Sequence, residues 1–263
     1  MTNLSDVIVP TSAEDAAAAF GDGAGITVLA GGTILMPELK LGRLKPARTL
    51  YLGRAGLDGI DRSGATYRIG AMTPVSQLVD AGPEPLSSFA AHVADYEIRR
   101  RATIGGNLCA PPGETAPRGD LQAPLIALGA RVRSTGAGGE RTEPVDDFLA
   151  DGTDGRLVLE IEVDEPKRAA TAGVRRPHAH AYSILAVAAA ETADGVRVAV
   201  LGAGPRALRV ASVERALAAG ASIDDAAEKV LDDVQPGDDA LASGWYRREV
   251  LPGLVSRALR DLS

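Results

Sequence analysis

Two short segments, Ala30-Gly31-Gly32-Thr33 and Thr103-Ile104-Gly105-Gly106-Asn107, carry the residue types from which a backbone anion site is built. Glycine lets consecutive N–H groups turn toward one point with no Cβ in the way, and such a nest suits anionic oxygen. Each segment also holds a hydroxyl residue, Thr33 or Thr103. Either loop alone reads as a structural turn. Together they can grip one diphosphate. Charge-assisted hydrogen bonds contribute about 1.5–3 kcal/mol each, so a handful would hold a pyrophosphate without a lysine.

Other candidate groups are weaker. Val198 to Ala207, VAVLGAGPRA, matches the G-x-G-x-x-A dinucleotide fingerprint after a strand. No second strand ending in Asp or Glu follows about 20 residues on, so the βαβ unit is missing and a tight turn is the better reading. His178 and His180 lie two apart and His92 is remote, which is not a metal set. The single cysteine, Cys109, excludes an intrachain disulfide and a cysteine-ligated iron–sulfur cluster within this chain. Glu160 and Glu162 share one face of a strand, where a solvated edge explains them. Arg99-Arg100-Arg101 reads as a solvated helix end, or as a docking patch for an acidic partner. No acid–base dyad or nucleophile stands out.

The elements that position these loops follow from local pattern. Ser12 to Phe20 reads as a helix, capped by Ser12 with Glu14 and Asp15 at its positive end. Ile26 to Ala30 is a β-branched apolar strand leading into the first glycine loop, and Ile34 to Gly42 a short helical turn. Arg48 to Leu52 and Tyr67 to Ile69 read as strands, Pro74 to Val79 as a helix start. Pro85 to Arg101 is expected to be one longer helix leading into the second loop. Asp120 suits the N-cap of an apolar helix from Leu121 to Leu128. RVRS, from Arg131, is a strand followed by a hairpin-like turn. Val145 to Leu149 comes next, then the strand Leu157 to Val163. From about Lys167 the grammar changes. Tyr182 to Ala190 is small and apolar, Val196 to Leu201 is a strand, and Ser212 to Ala219 and Asp224 to Val230 are helices. A final helix, Trp245 to Leu262, is interrupted by Pro252. A boundary falls near 165–170.

Composition narrows the function classes. The chain has 263 residues, enough for one large or two modest domains. It is 45% hydrophobic but only 3% aromatic, so aliphatic residues must fill the core. A net charge of -7 argues against nucleic acid as a partner. The N-terminus lacks the basic region of a signal peptide, and the longest apolar run, Ala181 to Ala190, is too short to span a bilayer. A cytoplasmic protein with no membrane span is expected.

The segments PTSAEDA, LAGGTILMPELKLG, GLDGI, IGAMTPVSQL, EIRRRATIGGNL and DLQAPLIALGARV, in this order, resemble the FAD-binding medium subunit of the molybdenum hydroxylases, the carbon monoxide dehydrogenase and xanthine dehydrogenase type. The resemblance spans nearly the whole chain. It implies an α+β protein with the FAD-binding fold of the vanillyl-alcohol oxidase/p-cresol methylhydroxylase type. A domain of residues 1–166 would hold two α/β subdomains, about 1–53 and 54–166. Residues 167–263 would form a small C-terminal antiparallel sheet with helices. FAD is the implied cofactor. Leu29, Ala30, Gly31, Gly32, Thr33, Ile34 and Leu35 would form the first pyrophosphate loop, and Thr103, Ile104, Gly105, Gly106 and Asn107 the second. Asp120 would bond ribityl or sugar hydroxyls, and Leu157 would lie on the strand passing the ring system.

Two departures stand out. The loop from Asn107 to Asp120, with Pro111, Pro112, Gly113, Glu114 and Arg118, is longer than in the family. A lysine that approaches the flavin in the family has no counterpart, and Arg175 or Arg176 could take its place. The implied role is electron transfer. A molybdenum-cofactor large subunit would oxidise substrate, a [2Fe–2S] small subunit would relay electrons, and FAD on this chain would pass them to an external acceptor. A stand-alone flavin oxidase or dehydrogenase, or a non-catalytic scaffold that keeps the fold, are the alternatives.

Overall fold

The structure is a computed structural model that describes residues 6–111, 119–176 and 183–263. It contains three sheets. The first is parallel, with Arg48–Tyr51 between Val7–Ile8 and Ile26–Leu29. Parallel strands require crossovers, and the helices Ala13–Phe20 and Leu35–Lys40 lie on them. Ser12 caps the first helix by accepting from the Asp15 amide at 3.0 Å. Ala16 and Phe20 then pack on Leu50 and Leu52.

The second sheet is antiparallel and five-stranded, in the order Ile60–Ser63, Thr66–Gly70, Arg156–Asp164, Arg131–Gly136, Arg141–Pro144. Its central strand, Arg156–Asp164, changes face along its length. Leu157 and Leu159 join the core of the first sheet, whereas Ile161 and Val163 join the core of the second. Residues of equal parity in a regular strand share a face. The change is produced by a bulge: Arg133 pairs with Glu160 but Ser134 with Val158, so Leu159 has no opposite number. Glu160 and Glu162 therefore sit on a central strand, not on an edge. Their cross-strand partners are Arg133 and Arg68, at 3.5 and 3.2 Å.

The third sheet is antiparallel, in the order Leu208–Arg209, Gly195–Leu201, Ser183–Thr192, Arg168–Arg175. Ser183–Thr192 is buried on both faces. Leu185, Val187 and Ala189 face the helices Ala211–Ala218, Ile223–Glu228 and Gly244–Leu262, while Ala186, Ala188 and Ala190 face the second sheet's core. The alanines let the wholly buried helix Gln122–Ala127 lie close between the two sheets.

The α+β fold with a C-terminal sheet and helices is as expected, but several elements differ. Pro85 to Arg101 is two short helices, Leu86–Ala90 and Tyr96–Arg101. Ala94 takes a positive φ and Asp95 caps the second helix by accepting from Ile98 N at 2.8 Å, so the helical run restarts. The final helix, Gly244–Leu262, continues through Pro252, which has no N–H to donate to the preceding turn. The edge strand Ile60–Ser63 went unforeseen because IDRS is polar and exposed. The GAGPRA turn joins antiparallel strands, with Ala199 opposite Arg209, so no dinucleotide crossover exists there. Asp120 is not a helix cap: Leu121 holds that position with no side-chain bond. Pro112 to Arg118, His178, His180 and Tyr182 lie outside the described residues.

Replacing Ala188 with leucine should overpack the layer between the helix Gln122–Ala127 and the third sheet, lowering stability by about 1–3 kcal/mol. Chemical denaturation would measure this as a lowered midpoint.

Candidate functional site

The two glycine loops meet. Gly31 follows the strand Ile26–Leu29, and the outer end of the helix Tyr96–Arg101 packs against it. A Cβ on Gly31 would fall inside the Arg101 carbonyl oxygen, so only glycine permits this approach. Ile104–Leu108 forms a short helix capped by Thr103, whose Oγ1 accepts from Gly106 N at 3.1 Å. Gly105 packs on the Ala71 backbone, where a Cβ would lie 2.8 Å from the Ala71 oxygen. Ala71 in turn donates to the carbonyl of Leu159, the bulged residue. The irregularity in the central strand thus supports the second loop.

A cavity of about 540 Å³ opens between the loops, a size typical of small-molecule and cofactor sites. Ala30, Gly31, Gly32, Thr33, Ile34 and Leu35 line one side, Thr103, Gly105, Gly106 and Asn107 another, and Leu157 a third. Leu29 and Ile104 lie behind this surface, Leu29 on the strand and Ile104 fully buried in the core. Asp120 borders a separate cavity of about 160 Å³, together with His92, Thr171 and Arg175. Burial lowers the Arg175 guanidinium and the Asp120 carboxylate raises it.

The loops offer different donors. The amides of Gly31, Gly32, Thr33 and Ile34 have no acceptor among the described residues. In the second loop every amide from Ile104 to Asn107 is already bonded within the chain, to Thr73 O, Ala71 O, Thr103 Oγ1 and Thr103 O respectively. The expected second backbone nest is therefore corrected: that helix is pinned by the amides a nest would need. What remains is the Thr103 amide, which has no acceptor among the described residues, together with side-chain donors. The Thr103 hydroxyl accepts from Gly106 and retains its own proton, and Asn107 accepts from Leu121 N through Oδ1 at 2.8 Å and retains its Nδ2 hydrogens.

Sequence reasoning missed the far end of the cavity. Phe20, Ile26, Val28, Leu52 and Val158 form an apolar wall, with Arg43 and Glu38 paired at 3.2 Å near it. Arg156 also lines the cavity, held by Ser134 Oγ at 2.7 Å, and burial and then Arg141 lower its guanidinium. These residues come from separate elements, so no local motif joins them. Cys109 lines the cavity too, and burial pushes its thiol up to about 12.

The paired loops and the donor-lined cavity define a FAD-binding domain. Residues 2–165 match the family described as the FAD binding domain in molybdopterin dehydrogenase, and residues 168–262 match the CO dehydrogenase flavoprotein C-terminal domain. The chain belongs to this family of flavoprotein subunits. It is 30% identical to the carbon monoxide dehydrogenase medium chain of Hydrogenophaga pseudoflava, over 95% of this chain and 94% of that protein. It is also 30% identical to the 6-hydroxypseudooxynicotine dehydrogenase complex subunit alpha of Paenarthrobacter nicotinovorans, over 97% and 93%. A solved carbon monoxide dehydrogenase from Hydrogenophaga pseudoflava superimposes with a TM-score of 0.86 at 26% identity, covering 100% of this chain and 98% of that one. Among the described residues no helix is long and apolar enough to cross a membrane.

Two outcomes test the site. Gly31→Ala should force the loops apart, destabilising the chain by about 1–3 kcal/mol and lowering FAD retention, read by thermal unfolding and by flavin absorbance after gel filtration. Cys109 should stay a neutral thiol at pH 8, so iodoacetamide should react about 100- to 1,000-fold more slowly with it than after unfolding, as mass spectrometry would record.

Proposed function

We infer that this chain is the FAD-carrying electron-transfer subunit of a molybdenum hydroxylase-type complex. It would receive electrons from the iron–sulfur clusters of a [2Fe–2S] small subunit, which a molybdenum-cofactor large subunit supplies. An external acceptor would then take them. Support comes from the unbonded amides of Gly31 to Ile34 in the cavity wall, beside the side-chain donors of Thr103 and Asn107. FAD, when bound, supplies an acceptor and donor of one or two electrons. The residues present suit it. Four amides can donate to diphosphate oxygens from one side, and Thr103 and Asn107 from the other. Leu29, Leu35 and Ile104 support these loops from behind or beside. Leu157 with Ile26, Val28 and Phe20 offers an apolar wall that excludes water from a ring system.

Asp120 is proposed to bond sugar-chain hydroxyls. It borders the second cavity, yet its neighbour Leu121 is bonded to Asn107, so one residue separates it from the diphosphate wall. Arg175, facing the same cavity, is the cation proposed to stand in for the family's lysine. The division into residues 1–166 and 167–263 is proposed to separate cofactor binding from a domain that covers it. The described residues of the cavity offer positioning and donors, and no acid–base pair of the kind that direct action on a substrate would need stands among them.

The purified protein should be yellow and release FAD on denaturation, and it should co-purify with two further chains, one containing iron–sulfur clusters. A colourless preparation that refuses added FAD would overturn the reading. Thr103→Ala should weaken FAD binding about tenfold or more through loss of one charge-assisted donor, with Thr103→Ser restoring it, measured by flavin fluorescence titration.

A further inference from the structure

The helix Tyr96–Arg101 ends beside the cofactor cavity. Its last carbonyl packs on Gly31, and the residues after it, Ala102 and Thr103, line the cavity. Its outward surface carries exposed cations on a chain whose net charge is -7. Arg99 is a structural residue: its guanidinium donates to the carbonyls of Val93 and Ala94 at 3.0 Å each, tying off the preceding turn. Arg100 and Arg101 do nothing comparable. Both are exposed and neither has an ion pair with a described residue. Tyr96 is 60% exposed, and Arg100 lies over its ring at 5.7 Å. Positions four apart share a helix face, so the aromatic and the cation form one preset surface. Glu97 is the acid exposed on this helix, and no ion pair joins it to either arginine.

We propose that Tyr96, Arg100 and Arg101 form the docking surface for an acidic face of the electron-donating iron–sulfur subunit. This rests on the electron-transfer role given above. Tyrosine and arginine are the residue types that dominate interface energetics. A local cation cluster on an acidic chain can recruit an acidic partner and orient it, because like charge repels that partner elsewhere. The place is also right: a partner seated on this helix lies next to Ala102 and Thr103, which line the cofactor cavity, where an electron donor must come close. A helix end merely solvated by arginines would need neither the exposed tyrosine nor the stacked geometry.

The test uses the complex assembled from this chain and its own partner subunits. Arg100→Glu/Arg101→Glu is compared with wild type and with Arg54→Glu, an exposed arginine on another loop. Circular dichroism and flavin absorbance first check that each variant is folded and holds FAD. The double reversal is expected to weaken binding of the iron–sulfur subunit roughly tenfold or more, and to slow flavin reduction by that subunit in stopped flow. Its residual rate should lose most of the salt dependence seen in wild type. Arg54→Glu should change neither. Arg100→Ala/Arg101→Ala serves if the reversal does not fold, with the same effect at smaller size. Unchanged association and unchanged salt dependence in a folded, FAD-loaded variant would overturn the docking surface alone. Wild-type protein that binds FAD but no iron–sulfur subunit would instead overturn the electron-transfer reading.

Discussion

The approach of Gly31 to the carbonyl of Arg101 is the contact on which the site depends. It brings a loop at the carboxyl end of a parallel strand against the last carbonyl of the helix Tyr96–Arg101, which packs with the core of a different sheet. Ligand crevices in open α/β sheets lie outside such strand ends. A single Cβ here would push apart two walls that must be within reach of one ligand. The glycines thus serve chain packing first. Any access they give a phosphate follows from how closely the walls stand.

Support for that contact runs inward through backbone bonds. Gly105 donates to Ala71, and Ala71 donates to the bulged Leu159 of the central strand. The same bulge turns Leu157 toward the cavity and Ile161 toward the other core. One extra residue in a strand therefore sets both the floor under the second loop and the apolar wall beside it. The second loop is held by its own chain from Ile104 to Asn107, so among its described residues the Thr103 amide and side chains remain to donate from it.

The C-terminal sheet is fastened to this arrangement by small residues and buried polar links. Gln122 donates to Leu108 O at 2.9 Å and accepts from Ala207 N at 3.3 Å, joining the end of the glycine helix to the far domain. Arg197 bonds Ile126 O and Asp146 across the same boundary. Buried amides and guanidinium groups lose much when left unpaired, so the relative placement of the domains is well specified. That placement puts Asp120 and Arg175 around one cavity although they come from different domains.

The order of elements around the first loop, the strand Ile26–Leu29 and the capped helix before it were legible in the sequence, because caps, glycines and β-branched runs act over a few residues. The family and its cofactor were legible for the same reason: AGGT and TIGGN are contiguous motifs. The break before Tyr96 was not, since the helical spacing of Leu86, Phe89 and Val93 carries on while the backbone turns at Ala94. Nor was the use of the Ile104 and Gly105 amides, because their acceptors, Thr73 and Ala71, lie some thirty residues away in the chain. The far wall of Phe20, Val28, Arg156 and Val158 likewise exists only once three elements are packed. Local chemistry decided which segments could meet a diphosphate. Tertiary packing decided which of their donors were left free to do so, because a hydrogen bond made within the fold cannot also be offered to a ligand.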